Sequence, residues 1–141
     1  MRTFFGLAGG TVAGLLIQAI VVYLASFAID MPALDSTARA EIAQAFADSP
    51  APALLASMLS YGLAGLGAAW IGAAVSGKAW VAWTAGGLVA LLALAIAIVF
   101  PEPAWAQFGA FIAAVAGTMI GKHLGARRGA AADGAAADAA L

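Results

Sequence analysis

The sequence predicts an all-α membrane protein with four transmembrane helices, and three observations support this fold class. The 141 residues are 65% hydrophobic and only 9% charged, with a mean hydropathy of +1.01, whereas a soluble domain is about 45–50% apolar and about 25% charged. The apolar residues form four nearly uncharged stretches, each long enough to cross a hydrocarbon core about 30 Å thick. Six basic and seven acidic residues are too few to cover a soluble core of this length. Lipid is therefore the solvent that the composition implies.

The first predicted span covers about residues 4–29 and is followed by Pro32. It is longer than the roughly 7–15 apolar residues of a signal peptide, which favours an uncleaved helix. In the loop that follows, apolar residues recur at three- and four-residue spacing after Asp35-Ser36-Thr37, a run suited to capping a helix start. We therefore expect a short interfacial helix in this first outer loop, with Phe46 facing the membrane.

Three further spans are predicted at about residues 51–75, 79–100 and 104–124. Each connection between them is about three residues long, so consecutive helices should be antiparallel neighbours. We expect two antiparallel hairpins, one of spans two and three and one of spans three and four, within a single transmembrane domain of residues 1–125. The Ala-, Gly- and Asp-rich tail of residues 126–141 has nothing to bury and is expected to be disordered.

The basic residues predict how the chain is oriented in the membrane. Five of the six fall on one side of the four-span layout: Arg2, Lys78, Lys122, Arg127 and Arg128. Only Arg39 falls on the other side, so the positive-inside rule predicts a bacterial inner-membrane protein with both termini in the cytoplasm. Trp80 and Trp83 begin span three on the cytoplasmic side and Trp105 begins span four on the outer side, positions typical of interfacial anchors.

Small residues recur every fourth position along three of the predicted spans, most weakly in span two at Ser60, Ala64, Ala68 and Gly72. The first-span stripe is Gly6, Gly10 and Gly14, and the fourth-span stripe is Gly109, Ala113, Gly117, Gly121 and Gly125. Such stripes let two helix backbones touch and gain dispersion contacts. We expect Gly117 and Gly121 of the fourth-span stripe to pack against span three inside the bundle, because short connections hold these spans together. The first-span stripe is the better candidate for contact with a partner.

Gln18 lies near the middle of the first span, where an unpaired polar side chain is costly. We expect it to be a buried polar group that hydrogen-bonds across a helix interface. Small multidrug exporters also have four spans but depend on an acidic residue in the first span, where this chain has an amide. No ionisable residue lies in the interior of any predicted span, which disfavours ion-coupled transport.

The sequence offers no strong candidate for catalysis, for a cofactor or for a metal ion. His123, the only histidine, lies beside Lys122 at the end of span four, where a helix-end role is favoured over ligation of haem or pigment. Cysteine is absent, and the serines and threonines of the spans have no base in their own spans. Small fluoride channels need no titratable pore residue, but Phe108 and Phe111 fit packing better than a pore lining.

Two short motifs accompany a Gly/Ala-rich second span: Pro32-Ala33-Leu34-Asp35 in the outer loop and Pro103-Ala104-Trp105 at the start of span four. With them, most of residues 1–128 resembles a loosely defined group of uncharacterised short four-span bacterial inner-membrane proteins. Members often have a histidine before the second proline motif and a glutamate in span one, where this chain has Glu102 and Gln18. The resemblance implies the four-span fold and no activity.

Together these patterns predict a non-enzymatic membrane protein that acts through helix packing, either as an accessory subunit of a membrane complex or as a homo-oligomer. The alternative is a small pore or uncoupled carrier formed by oligomerisation. The expected partners are the lipid bilayer and another membrane protein or a second copy of the chain. Neither a cofactor nor nucleic acid is expected, since no basic run is interleaved with aromatic residues.

Overall fold

The computed structural model describes residues 1–29, 40–41, 44, 48–99 and 103–138, and for residues 97 and 129–138 the backbone alone. Its helices are α1 (Arg2–Ala28), α2 (Ala51–Ser76), α3 (Ala79–Val99) and α4 (Ala104–Asp138). All four are long and apolar enough to cross a membrane. The all-α fold with four candidate spans is therefore confirmed over the described part of the chain.

Local sequence explains where α2 begins and ends. Pro50 precedes the helix and Pro52 lies in its first turn, where the missing N–H has no intrahelical partner to lose. Gly77 ends the helix in the left-handed conformation, with φ +66°, and its N–H donates to the Ala73 carbonyl at 2.8 Å. Glycine adopts this conformation without a steric penalty. Only Gly77 and Lys78 therefore separate α2 from α3.

Helices α2 and α3 form the centre of the bundle. Each of them contacts the other three helices, and the most extensive contact of all joins α2 to α4. Within the described residues α1 and α4 do not approach each other. The outer helices α1 and α4 therefore flank the central pair on opposite sides.

The core is built mainly from alanine. Its fully buried members are Ala64, Ala68, Ala85, Val89 and Ala114. Methyl side chains fill little space, so the helix backbones must approach closely to leave no void. Larger side chains close this core at its margins: Leu7, Met58, Ile96, Phe111 and Val115.

Helix α4 is longer than the fourth span that the sequence predicts. It continues past Leu124 and through Arg127 and Arg128 to Asp138, where the sequence predicted a disordered tail. Alanine has the highest helix propensity, and extending an existing helix needs no new nucleation. The Ala-rich tail can therefore prolong α4.

Most of the first outer loop lies outside the described residues, including Phe46 of the expected interfacial helix. Ala40, Glu41 and Gln44 are described and have helical backbone. The Gln44 side-chain amide donates to the Asp48 carboxylate at 2.8 Å. The interfacial helix stays a prediction.

Candidate helix-packing site

Among the described glycines, two of α4 that face α2 come closest to the backbone of another helix. A Cβ atom built on Gly117 would collide with the carbonyl oxygen of Gly62, and one built on Gly121 would collide with that of Leu66. Gly125, one turn further along, has the same relation to α2, with a carbonyl oxygen 2.5 Å from the built Cβ. All three glycines are buried. Any side chain at these positions would have to push the two helices apart.

These three glycines of the fourth-span stripe pack against α2. The expectation that Gly117 and Gly121 pack against α3 is wrong. A short connection brings α3 and α4 together, but it does not decide which pair approaches most closely. Helix α2 presents glycine to α4 as well: a Cβ built on Gly65 would collide with the Ala114 carbonyl oxygen. Small residues on both surfaces permit a closer approach than small residues on one.

The first two positions of the fourth-span stripe are packed less tightly. A Cβ built on Gly109 would meet the side chain of Met58, which has three rotatable bonds and can move aside. The side chain of Ala113 lies 3.5 Å from a Cβ built on Gly62, an ordinary van der Waals distance. Among the stripe positions, a side chain added by substitution would therefore collide with the α2 backbone only at Gly117, Gly121 and Gly125.

The first-span stripe also packs inside the chain. Gly6, Gly10 and Gly14 are the buried residues of α1. A Cβ built on Gly10 would stand 2.6 Å from the Ala68 carbonyl oxygen, and one built on Gly14 would stand 2.9 Å from that of Ala64. The expectation that this stripe meets a partner protein is wrong, because α2 supplies a matching groove of small residues.

Thr118 connects three helices at the centre of the bundle. It is 1% exposed, and its hydroxyl donates to the Ala114 carbonyl at 2.8 Å. A Cβ built on Gly86 of α3 would collide with the Thr118 side chain, and one built on Gly65 of α2 would stand 3.1 Å from its Oγ1. Sequence reasoning missed this contact because Gly65 and Gly86 lie outside the stripes that it singled out. The one available signal was a polar residue directly following Gly117 in an otherwise apolar span.

Gln18 is half-buried at the edge of the packed face of α1, and its amide makes no hydrogen bond within the described residues. The hydrogen bond across a helix interface that the sequence predicts would need a second chain and stays a prediction. Thr11 differs, since its hydroxyl donates to the Leu7 carbonyl of its own helix at 2.9 Å. A short hydroxyl side chain can bond to its own helix in this way, whereas a glutamine amide projects away from it.

Tryptophans and cations meet at one end of the bundle. The Lys122 ammonium lies 5.2 Å from the centroid of the Trp83 ring, and the Arg128 guanidinium lies 5.4 Å from that of Trp70. Both distances fall within the range of cation–π attraction, which is about 0.5–1 kcal/mol at exposed sites. These pairs link the last part of the apolar section of α4 to α3 and to α2.

The three tryptophans predicted as interfacial anchors are all exposed. Trp80 is 54% exposed, Trp83 41% and Trp105 51%. At the same end as the two cation–π pairs, the Lys78 ammonium donates to the Thr3 hydroxyl at 3.3 Å, which joins the start of α1 to the α2–α3 connection. His123, beside Lys122, is exposed.

No protein-family model, curated protein or solved structure matches this chain. The resemblance to short four-span bacterial inner-membrane proteins therefore stays a prediction from sequence. Among the described residues, no group of three or more His, Cys, Asp or Glu could hold a metal ion.

The buried hydroxyls of Ser60 and Thr118 bond to their own helices. Ser60 Oγ donates to the Ser57 carbonyl at 2.7 Å, as Thr118 does to the carbonyl of Ala114. A hydroxyl held in this way satisfies its donor without any other helix, so it costs little to bury. The main structural result of this helix packing is close contact between helix backbones.

Proposed function

We propose that this chain is a non-enzymatic, multi-pass protein of the bacterial inner membrane that works through helix packing, as a homo-oligomer or as an accessory subunit of a membrane complex. The observation that carries the proposal is the unequal burial of the four helices. In the most apolar 18 residues of α1 only 6% of the residues are buried, against 44% in α2, 39% in α3 and 33% in α4. The tight contacts complete a bundle, and α1 is left with a broad uncovered face.

The proposal includes two antiparallel hairpins across the bilayer. Contacts between α1 and α2 support the alternation of helix directions that these hairpins require, because Gly6 lies against Ser76 while Gly14 lies against Ala64. Residue numbers thus rise along one helix as they fall along the other. Along α2 and α4 they rise together, as expected when one helix separates the two in an alternating bundle.

The proposed orientation has both termini in the cytoplasm. The contacts between Lys78 and Thr3 and between Lys122 and Trp83 support it, since they join the predicted cytoplasmic ends of all four helices. A membrane end that carries most of the basic residues is retained on the cytoplasmic side.

Thiol labelling tests this orientation. The chain contains no cysteine, and Ala51 and Ala79 are exposed at the starts of α2 and α3. In intact cells an impermeant maleimide should label Ala51→Cys and leave Ala79→Cys unlabelled, because only the start of α2 faces outward. Both variants should react after the membrane is permeabilised. Labelling of Ala79→Cys alone in intact cells would reverse the orientation.

Subunit counting tests the packing function itself. The fluorescently tagged full-length chain is reconstituted into vesicles, and the photobleaching steps in each spot are counted at increasing dilution in lipid. We expect more than one copy in each spot, or one copy that co-purifies in fixed ratio with an identified membrane protein. A chain that is monomeric at every dilution, has no such companion and conducts solute would favour the pore instead.

A further inference from the structure

Within the described residues, the amide of Gln18 has no hydrogen-bond partner, and it lies at a depth where water cannot supply one. At 1.5 Å per residue, Gln18 lies roughly 24 Å from the start of α1 and roughly 15 Å from its end. When α1 crosses a hydrocarbon core about 30 Å thick, this amide lies well inside it. An amide without a partner in hydrocarbon is unfavourable. A partner from outside the chain would remove that cost.

The position of Gln18 on α1 makes the amide reachable from outside the bundle. On one side it adjoins Gly14 and Val21, which belong to the face that packs on the bundle. On the other side it adjoins Leu15 and Val22, each 40% exposed. Residues three and four positions apart are neighbours on a helix surface, so Gln18 lies on the border between the covered and uncovered faces.

We propose that two copies of this chain form a parallel dimer along α1, in which the two Gln18 amides hydrogen-bond to each other. This inference rests on the proposed packing function and names the contact through which it operates. A carboxamide is both donor and acceptor, so two of them can exchange a reciprocal pair of N–H···O bonds. In a two-fold dimer each copy presents the same surface to the other.

Membrane insertion favours a second copy over other occupants of this surface. Two copies inserted in the same orientation necessarily place their Gln18 residues at the same depth in the bilayer. Their surroundings also match, because the exposed neighbours Leu15 and Val22 are apolar in both. A single polar residue within an apolar helix seam fixes the register of a dimer, since any shift would leave the amides unpaired.

Cysteine cross-linking in vesicles locates the interface. Leu15→Cys and Val22→Cys flank Gln18 and should each give disulfide-linked dimers on mild oxidation. Leu16→Cys is the matched control, because Leu16 is 57% exposed but projects from the opposite side of α1 from Gln18. It should remain monomeric on a denaturing gel. Cross-linking of Leu16→Cys without the other two would overturn the proposal.

Dimerisation strength tests the role of the amide. Gln18→Leu should weaken dimerisation by about 3- to 20-fold, the range that membrane interhelical hydrogen bonds provide. It should leave the thermal stability of the monomer unchanged, because the amide makes no bond inside the chain. Gln18→Asn keeps the carboxamide and should retain part of the affinity. Both are measured by photobleaching or energy transfer over a series of lipid dilutions.

The outcomes separate this inference from the function on which it rests. If the unmodified chain assembles but Gln18→Leu assembles equally well, the Gln18 contact is wrong and the packing function stands. If the unmodified chain assembles only with a different membrane protein, the self-dimer is wrong and the accessory role stands. If it neither dimerises nor co-purifies with another protein, both proposals fail.

Discussion

Replacing Gly117 or Gly121 by alanine is expected to lower the free energy of unfolding by about 1–3 kcal/mol, the usual effect of overpacking. In each case the added methyl would collide with a backbone carbonyl oxygen of α2, that of Gly62 or Leu66. A backbone cannot rotate aside as a side chain can, so α2 and α4 must separate along their closest contact. The change is measured by denaturant or thermal unfolding of the purified chain in a single detergent.

Glycines of the same chain provide the control, because alanine is favoured over glycine in a helix by about 1 kcal/mol. A Cβ built on Gly9 or Gly87 has no neighbour within 4 Å, so alanine there should be neutral or stabilising. Alanine at Gly109 meets only the movable side chain of Met58 and should cost little. Equal effects at all five positions would mean that α4 does not pack on α2 through its backbone.

The helices and the small-residue stripes could be predicted from sequence because both are local patterns. Long apolar stretches interrupted by Gly77 or by prolines specify four helices without reference to the rest of the fold. A four-residue repeat identifies one face of one helix. In the same way, Gly6, Gly10 and Gly14 could be predicted to lie on a packed face.

The helix that each stripe contacts could not be predicted in this way. That choice depends on complementary surfaces at distant positions, such as the approach of Gly117 to Gly62 and of Gly10 to Ala68. Connection length was the only guide in the sequence, and it points to neighbours in the chain. The close approach of α2 and α4 is instead possible because both helix surfaces contain glycine at the contact.

Single contacts outside any repeat were equally hard to predict. Thr118 lies between Gly65 and Gly86 because three helices meet there, and no periodicity in one helix encodes a three-helix junction. Gln18 could be recognised as a polar residue in lipid, but whether its partner lies inside the chain depends on the packing. The described residues provide no hydrogen-bond partner for this amide, and the proposed dimer would supply one.

A double-mutant cycle at Gly86 and Thr118 is expected to show strong coupling between α3 and α4. Gly86→Ala alone should lower the free energy of unfolding by about 1–3 kcal/mol, because its methyl collides with a side chain that is 1% exposed. Thr118→Ala alone should also destabilise, because it removes buried atoms and leaves a cavity. In the double variant the methyl at position 86 occupies the space that Thr118 vacates. The destabilisation of the double variant should therefore be smaller than the sum of the two single effects by about 0.5–3 kcal/mol.

The control cycle combines Thr118→Ala with Gly87→Ala, which adds the same methyl one position away. A Cβ built on Gly87 meets no atom within 4 Å, so these two effects should add within about 0.5 kcal/mol. Helix propensity changes equally in both cycles and cancels from the comparison, which leaves the contact with Thr118 as the difference. Additive effects in the Gly86 cycle as well would contradict a direct contact between Gly86 and Thr118, and with it the junction of α2, α3 and α4 at the centre of the bundle.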